Sequence, residues 1–137
     1  MHTPSGAKRI EELAPDEQVL SWNERSARVE SGTVEAVFTS KRAGLIELRT
    51  ANGSVTCSPE HPIYTAETTC QPAAELAPPD RLMLLESPGA DRLASTSEWT
   101  ITEGRVRRPV KVYNLSVGKN RNYFVGPDRV LCHNKGM

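Results

Sequence analysis

The 137-residue chain has the length of one domain, enough to bury a real core. Seventeen basic residues balance seventeen acidic ones, so the net charge is zero and no electrostatic footprint for nucleic acid or an anionic membrane exists. No apolar run approaches the roughly 18 residues that span a bilayer, and the opening MHTPSGAKRI lacks the apolar centre of a signal peptide. The chain is therefore expected to be soluble, and cytoplasmic as expressed, while its natural compartment stays undecided. Its three cysteines, Cys57, Cys70 and Cys132, are odd in number and lack CxxC spacing, which argues against a disulfide framework while leaving one bridge open.

Ten prolines and nine glycines cut the sequence into short pieces. Taken in chain order, residues 9–13 (RIEEL) suit a single helical turn, too short to be stable alone. Residues 18–23 (QVLSWN) read as the first good strand. In 33–38 (TVEAVF) the period of two puts Val34, Ala36 and Phe38 on one face. Residues 44–50 (GLIELRT) follow, and Asn52-Gly53 then separates them from 54–57, a strong hairpin signal. Residues 72–76 (PAAEL) suit a second helical turn, and 81–86 (RLMLLE) fit a buried strand. The polar, Gly- and Pro-bearing stretch 87–98 reads as a surface loop. Residues 109–117 alternate through Tyr113, Leu115 and Val117. A last hairpin, 122–125 and 129–132 about Gly126-Pro127-Asp128, delivers His133 and Asn134 to a strand end. The expectation is one all-β domain over 1–137, of short irregular strands with at most one or two helical turns.

Three constellations carry chemistry. An asparagine side-chain amide can attack its own carbonyl, closing a succinimide and releasing whatever follows. A neighbouring histidine supplies acid–base help near neutral pH, and holding both groups in attack geometry lowers the barrier. His133-Asn134 is such a pair, with Asn134–Lys135 as the scissile bond. In Ser58-Pro59-Glu60-His61-Pro62, two prolines fix the backbone around His61, which suits polarising a peptide bond. The runs Val112–Leu115 and Asn122–Gly126 lie close to the His-Asn end, with Leu115, Phe124 and Val125 as core positions. Cys57, His61, Cys70 and Cys132 would make a metal site only if the fold gathered them, and their spacing matches no zinc pattern, so no metal or cofactor is expected.

In order, these runs resemble the Hint (hedgehog/intein) superfamily, most closely its pretoxin-type and bacterial intein-like domains. His2-Thr3-Pro4-Ser5-Gly6 with Ile10-Glu11-Glu12-Leu13 is similar to the strand-turn after the family's first block. Asp16-Glu17-Gln18-Val19-Leu20-Ser21 resembles its GD-x-V-L-S segment, and Ser58 to Pro62 its T-x-x-H motif with Ser58 at the Thr position. Ala74-Glu75-Leu76 with Asp80-Arg81-Leu82 is similar to A-x-x-L-x-x-G-D-x-L. Val112-Tyr113-Asn114-Leu115 and Tyr123-Phe124-Val125-Gly126 match the penultimate block, and Val130-Leu131-Cys132-His133-Asn134 the last.

The resemblance implies a horseshoe-shaped all-β domain whose two ends meet at one site. There, a first-residue Cys or Ser performs an acyl shift on a peptide bond polarised by His61 with Ser58 behind it. Asn134, assisted by His133, then cyclises and frees a C-terminal segment, often a toxin domain in pretoxin-type proteins. The implied partners are the flanking segments of the chain's own precursor, which could be a secreted bacterial protein, with the domain itself monomeric.

This sequence departs from the pattern in four places. It begins at Met1 without the family's opening cysteine and first strand, so neither splicing nor N-terminal cleavage is expected of it. A complementary N-terminal fragment bearing that cysteine could instead associate in trans. Arg121 stands where many relatives carry a His that assists cyclisation; its guanidinium cannot shuttle protons but could stabilise an oxyanion, beside Asn122 and Tyr113 as further supports. Lys135 replaces the Cys, Ser or Thr that ligation needs, making cleavage without ligation the natural outcome. Cys132 precedes His133 where a small apolar residue is usual, either as a small buried residue or as a thiol that oxidation could block. The expected function is single-turnover autocleavage after Asn134; the alternative is an inactive Hint fold serving as a structural or partner-binding module.

Overall fold

The computed structural model describes residues 1–134 except 67, 68 and 79, with backbone alone at 105–107. Among the described residues, twelve strands and two single 3-10 turns make up the regular structure. The strands are β1 (His2–Thr3), β2 (Gly6–Ala7), β3 (Gln18–Asn23), β4 (Arg28–Thr50), β5 (Gly53–Cys57) and β6 (Pro62–Tyr64). They continue with β7 (Cys70–Pro72), β8 (Leu82–Leu85), β9 (Leu93–Thr96), β10 (Trp99–Val117), β11 (Asn122–Val125) and β12 (Val130–His133). The 3-10 turns, Ile10–Glu12 and Ala73–Glu75, fall inside the two segments expected to be helical. The all-β, horseshoe-like fold class is thus the one observed.

Two expectations are corrected. The strands are not all short: β4 runs 23 residues and β10 runs 19, paired antiparallel along most of their length. Trp99–Arg105 lies opposite Gly44–Thr50, and Val110–Val117 lies opposite Val34–Arg42. Between these stretches the register shifts, so one continuous ribbon bends and serves both halves of the fold. The stretch 87–98 is not wholly loop either. Leu93–Thr96 forms β9 and pairs with β8, Leu85 opposite Leu93, because the Gly89 turn folds it back onto the apolar run.

A β10-β4-β3 sheet, with β5 also on β4, faces a second sheet ordered β7-β6-β12-β8-β9, with β11 on β12. The main core forms between them from Val19, Val34, Ile46, Leu48 and Leu115 on one side and Ile63, Leu82, Tyr123, Val130 and Cys132 on the other. A smaller cluster gathers Tyr64, Leu85, Phe124 and Leu131 against Leu20 and Trp22. In β11 and β12, successive residues point to opposite clusters: Tyr123 and Cys132 one way, Phe124 and Leu131 the other. The last hairpin is therefore buried on both faces, which fixes its register. Truncating a core leucine such as Leu48 to alanine costs roughly 2–5 kcal/mol.

The turn of that hairpin is clasped to the Asn52-Gly53 turn. The buried Asp128 carboxylate accepts hydrogen bonds from the Asn52 backbone N–H (2.8 Å) and Nδ2 (2.6 Å). Gly126, at φ +79°, packs so tightly on Val55 that a Cβ there would collide with its side chain. His2 closes the opposite edge, its Nε2–H donating to the Gly126 carbonyl at 2.6 Å.

Candidate functional site

The doubly buried hairpin presents its last two residues at the end of β10. Asn134 is buried and tied down through backbone and side chain together. Its backbone N–H donates to the Arg121 carbonyl at 2.8 Å. Its side-chain amide pairs with one residue of β10, Oδ1 accepting from the Val117 N–H at 3.2 Å and Nδ2 donating to the Val117 carbonyl at 3.1 Å. A side chain thereby takes the place of a strand partner at the open edge of β10. The adjacent His133 Nδ1–H donates to the Asn134 carbonyl oxygen at 2.7 Å. That carbonyl is the one an intraresidue attack by Nδ2 would strike. Lys135, on the far side of the expected scissile bond, lies outside the described residues.

His133 is steadied from its own sheet. It pairs across the hairpin with Asn122, and the Tyr64 ring stands 6.1 Å from its own. Asn122 is fully buried and bridges to β3, accepting from the Trp22 N–H at 2.7 Å and donating to the Trp22 carbonyl at 2.9 Å. Asn122 thus locks the site to the neighbouring sheet without touching Asn134's amide. Arg121 takes part through its backbone carbonyl, at φ +59°, while its side chain is exposed. The contact that joins Arg121 to Asn134 is thus made by its backbone carbonyl rather than by the guanidinium.

The second group of residues sits apart. Ser58, His61, Tyr113, Tyr123, Cys57 and Cys132 share the wall of a cavity of about 440 Å³. The cavity wall includes neither Asn122, His133 nor Asn134. His61 is buried, its turn set by its own N–H donating to the Ser58 carbonyl at 3.1 Å. The turn is tethered further where Pro59 and His61 carbonyls accept from Ala74 and Ala73 at 2.9 Å. His61 Nε2 lies 3.4 Å from the Tyr123 hydroxyl, which in turn lies 3.4 Å from Asn114 Oδ1. Burial holds the Tyr123 hydroxyl well above the usual tyrosine range, so it stays protonated and can donate. At the cavity wall stand Phe38 and Val110, 42% and 40% exposed, the two large apolar side chains most open to solvent among the described residues.

Cys132 is fully buried and its thiol is pushed up by burial, so it stays protonated and behaves as a small core residue. Cys70 is exposed, and none of the three cysteines is joined in a disulfide. Among the described residues no three His, Cys, Asp or Glu side chains gather as a metal would require. No helix is long and apolar enough to cross a membrane among them.

Sequence reasoning missed three participants. Asn114 and Tyr123 lie within the quoted runs, yet nothing in them marks a line to His61. The Val117 backbone that holds Asn134 has no sequence signal at all, since every residue carries that donor and acceptor.

This combination of a two-sheet horseshoe, a His-Asn pair at its last strand and a buried His on a proline turn defines a self-processing domain of the Hint/intein class. The chain belongs to the pretoxin Hint family, whose profile matches residues 1–136. The solution structure of a bacterial intein-like domain from Clostridium thermocellum is similar over 98% of this chain and 93% of its own, at 27% identity and a TM-score of 0.82. A variant of the Ssp DnaB mini-intein matches over 100% of this chain and 90% of its own, at 21% identity and a TM-score of 0.80. The DnaX mini-intein from Spirulina platensis matches over 96% and 93%, at 22% identity and a TM-score of 0.78. These two mini-inteins share the fold. Among curated proteins no significant match was found.

Proposed function

We propose that this domain cleaves its own backbone after Asn134, without ligation. Asn134 Nδ2 attacks the Asn134 carbonyl carbon, forming a C–N bond and losing one proton. The peptide bond to Lys135 breaks, and the Lys135 nitrogen takes up a proton to leave as a free amine. The domain retains a C-terminal succinimide, which water later opens. His133 Nδ1–H stabilises charge on the carbonyl oxygen as the tetrahedral intermediate forms, in the manner of an oxyanion donor. The Val117 carbonyl accepts an Nδ2 hydrogen and orients the nucleophile. Ligation is disfavoured because Lys135 offers no hydroxyl or thiol to accept an acyl group.

The observation that carries this reading is the 2.7 Å contact from His133 Nδ1 to the Asn134 carbonyl, with the Asn134 amide already pinned on Val117. Incubation at neutral pH with hydroxylamine tests it. A C-terminal hydroxamate on Asn134, absent from the Asn134→Ala variant, is the expected product. Cleavage at other bonds, or with a plain carboxylate formed directly, would rule the cyclisation out.

A second reading, a fold that docks a separate segment, draws on the cavity beside His61 and on the exposed Phe38 and Val110 at its wall. An extended peptide from the precursor, or a complementary N-terminal fragment, would lie there with His61 against its backbone. The two readings are compatible, because the cavity and the Asn134 seat are separate.

A further inference from the structure

The seat of Asn134 is itself fixed from behind. Val117, which ends β10, turns its N–H and C=O toward the Asn134 amide, while its side chain is 1% exposed within the main core. Against that side chain lies Gly32, buried in β4 and opposite Val19 of β3. A Cβ at Gly32 would stand 2.7 Å from Val117 Cγ1 and 3.1 Å from Ser21 Oγ. The first separation is too short for two carbons, and the β-branched valine has little rotamer freedom with which to withdraw.

The backbone around this contact is held on both sides. The Gly118 N–H donates to the Thr33 carbonyl at 2.9 Å. The β4–β10 ladder is irregular here: Ser116 faces Ala36 and Val117 faces Val34, so Glu35 is the extra residue of a bulge. Bulges re-aim the groups beside them, and this one sets the end of β10 against Asn134. A push on Val117 from Gly32 would therefore be felt where the Val117 backbone meets the amide of Asn134.

We propose that Gly32 is a positioning residue for asparagine cyclisation. The missing side chain at Gly32 sets how deeply Val117 seats, and the Val117 backbone sets where Nδ2 of Asn134 stands relative to its own carbonyl carbon. This inference rests on the cleavage reading above, and it predicts a coupling that ordinary strand packing does not.

The test is a double-mutant cycle on the full chain, comparing the parent with Gly32→Ala, Val117→Ala and the double variant. Cleavage after Asn134 is followed by intact mass at a temperature where circular dichroism shows each protein folded. Gly32→Ala is expected to slow cleavage about tenfold or more in the native background, since small misplacements of reacting groups are costly. In the Val117→Ala background the same change is expected to cost less than about threefold, because the clash is gone. Equal slowing in both backgrounds, or none in folded Gly32→Ala, would overturn the proposal. Should Gly32→Ala not fold alone, a folded double variant that is much slower than Val117→Ala would overturn it equally.

Hydrogen exchange of the Asn134 side-chain amide, read by nitrogen-15 NMR, separates this inference from the cleavage reading. Protection in the parent, its loss in Gly32→Ala and its return in the double variant would establish the positioning even if the parent never cleaved. Unchanged protection in Gly32→Ala would refute the positioning even if the parent cleaved normally.

Discussion

The two chemical regions of this domain are built in opposite ways. Asn134 is gripped by backbone groups of two separate segments, at Arg121 and Val117, and its carbonyl oxygen accepts a hydrogen bond from His133 Nδ1–H at 2.7 Å. His61 faces a cavity, and its line through Tyr123 to Asn114 is made of long 3.4 Å contacts. Short, backbone-anchored contacts describe a centre that is already organised, whereas loose side-chain contacts around open volume describe one that tightens only when something enters. This difference is what supports proposing a self-contained reaction at the C-terminal end.

The largest expected effect comes from removing the nucleophile. Asn134→Ala is expected to abolish cleavage entirely, as followed by loss of the downstream segment on denaturing gels; residual cleavage at the same bond would mean that another group attacks it. His133→Ala is expected to slow cleavage roughly a hundred- to ten-thousandfold, the range of a single acid–base or hydrogen-bonding group, with the fold intact by circular dichroism. A change of less than about threefold would move the polarising role elsewhere.

Asp128→Ala separates scaffold from chemistry. It removes a buried acceptor of two Asn52 hydrogen bonds, so urea melts should show a loss of roughly 1.5–3 kcal/mol. Cleavage by the fraction still folded should be nearly unaffected, since the clasp lies at the other end of β12.

Stability should also fall with pH in a defined sense. Burial alone would raise the Asp128 carboxyl, but hydrogen bonds from Thr50 and Asn52 outweigh it and hold the group below the ordinary range. Burial holds His2 below its ordinary value, against the opposing bond to Gly126. Both folded values lie below the unfolded ones, so both contributions are complete above the unfolded values of about 6.5 and 3.9. The His2 contribution is lost as pH falls below about 6.5, and the Asp128 contribution only in more acidic solution. Thermal melts across this window should show both steps in the parent; in Asp128→Ala the upper step stays and the acidic one shrinks to what Glu17 and Glu30 contribute, whose carboxyls are also held low, by hydrogen bonds from Lys8 and Asn120 respectively.

The smallest effects bear on the separation of the two regions. Arg121→Ala keeps the carbonyl that Asn134 uses, and Phe38→Glu alters only the cavity wall. Each should change cleavage after Asn134 by less than about threefold, well below the effect expected at His133. A large fall with Phe38→Glu would mean that the cavity and the asparagine seat act as one unit.

Legibility in the sequence followed the range of the interactions. The Asn52-Gly53 hairpin and the final hairpin could be read because short turns leave local residue signals. The outer half of β10 could not, because Trp99–Arg105 finds its partner some fifty residues earlier and carries no strict alternation of its own. β9 was hidden for a related reason: a polar, half-exposed edge strand resembles a loop until the apolar run before it is seen to fold back. At the site, His133, Asn134, His61 and Ser58 stood out because their chemistry resides in side chains. The Val117 backbone and the bare Gly32 behind it did not, since one is common to every residue and the other acts through an atom it lacks.

The most direct measurement is intact mass over time at neutral pH, made on the chain followed by a downstream segment, beside Asn134→Ala. The expected result is release of everything from Lys135 onward, leaving a product lighter by one water that slowly regains it, and no release in the control. A folded parent whose mass stays unchanged over days, or a control that loses the segment equally fast, would contradict cyclisation of Asn134.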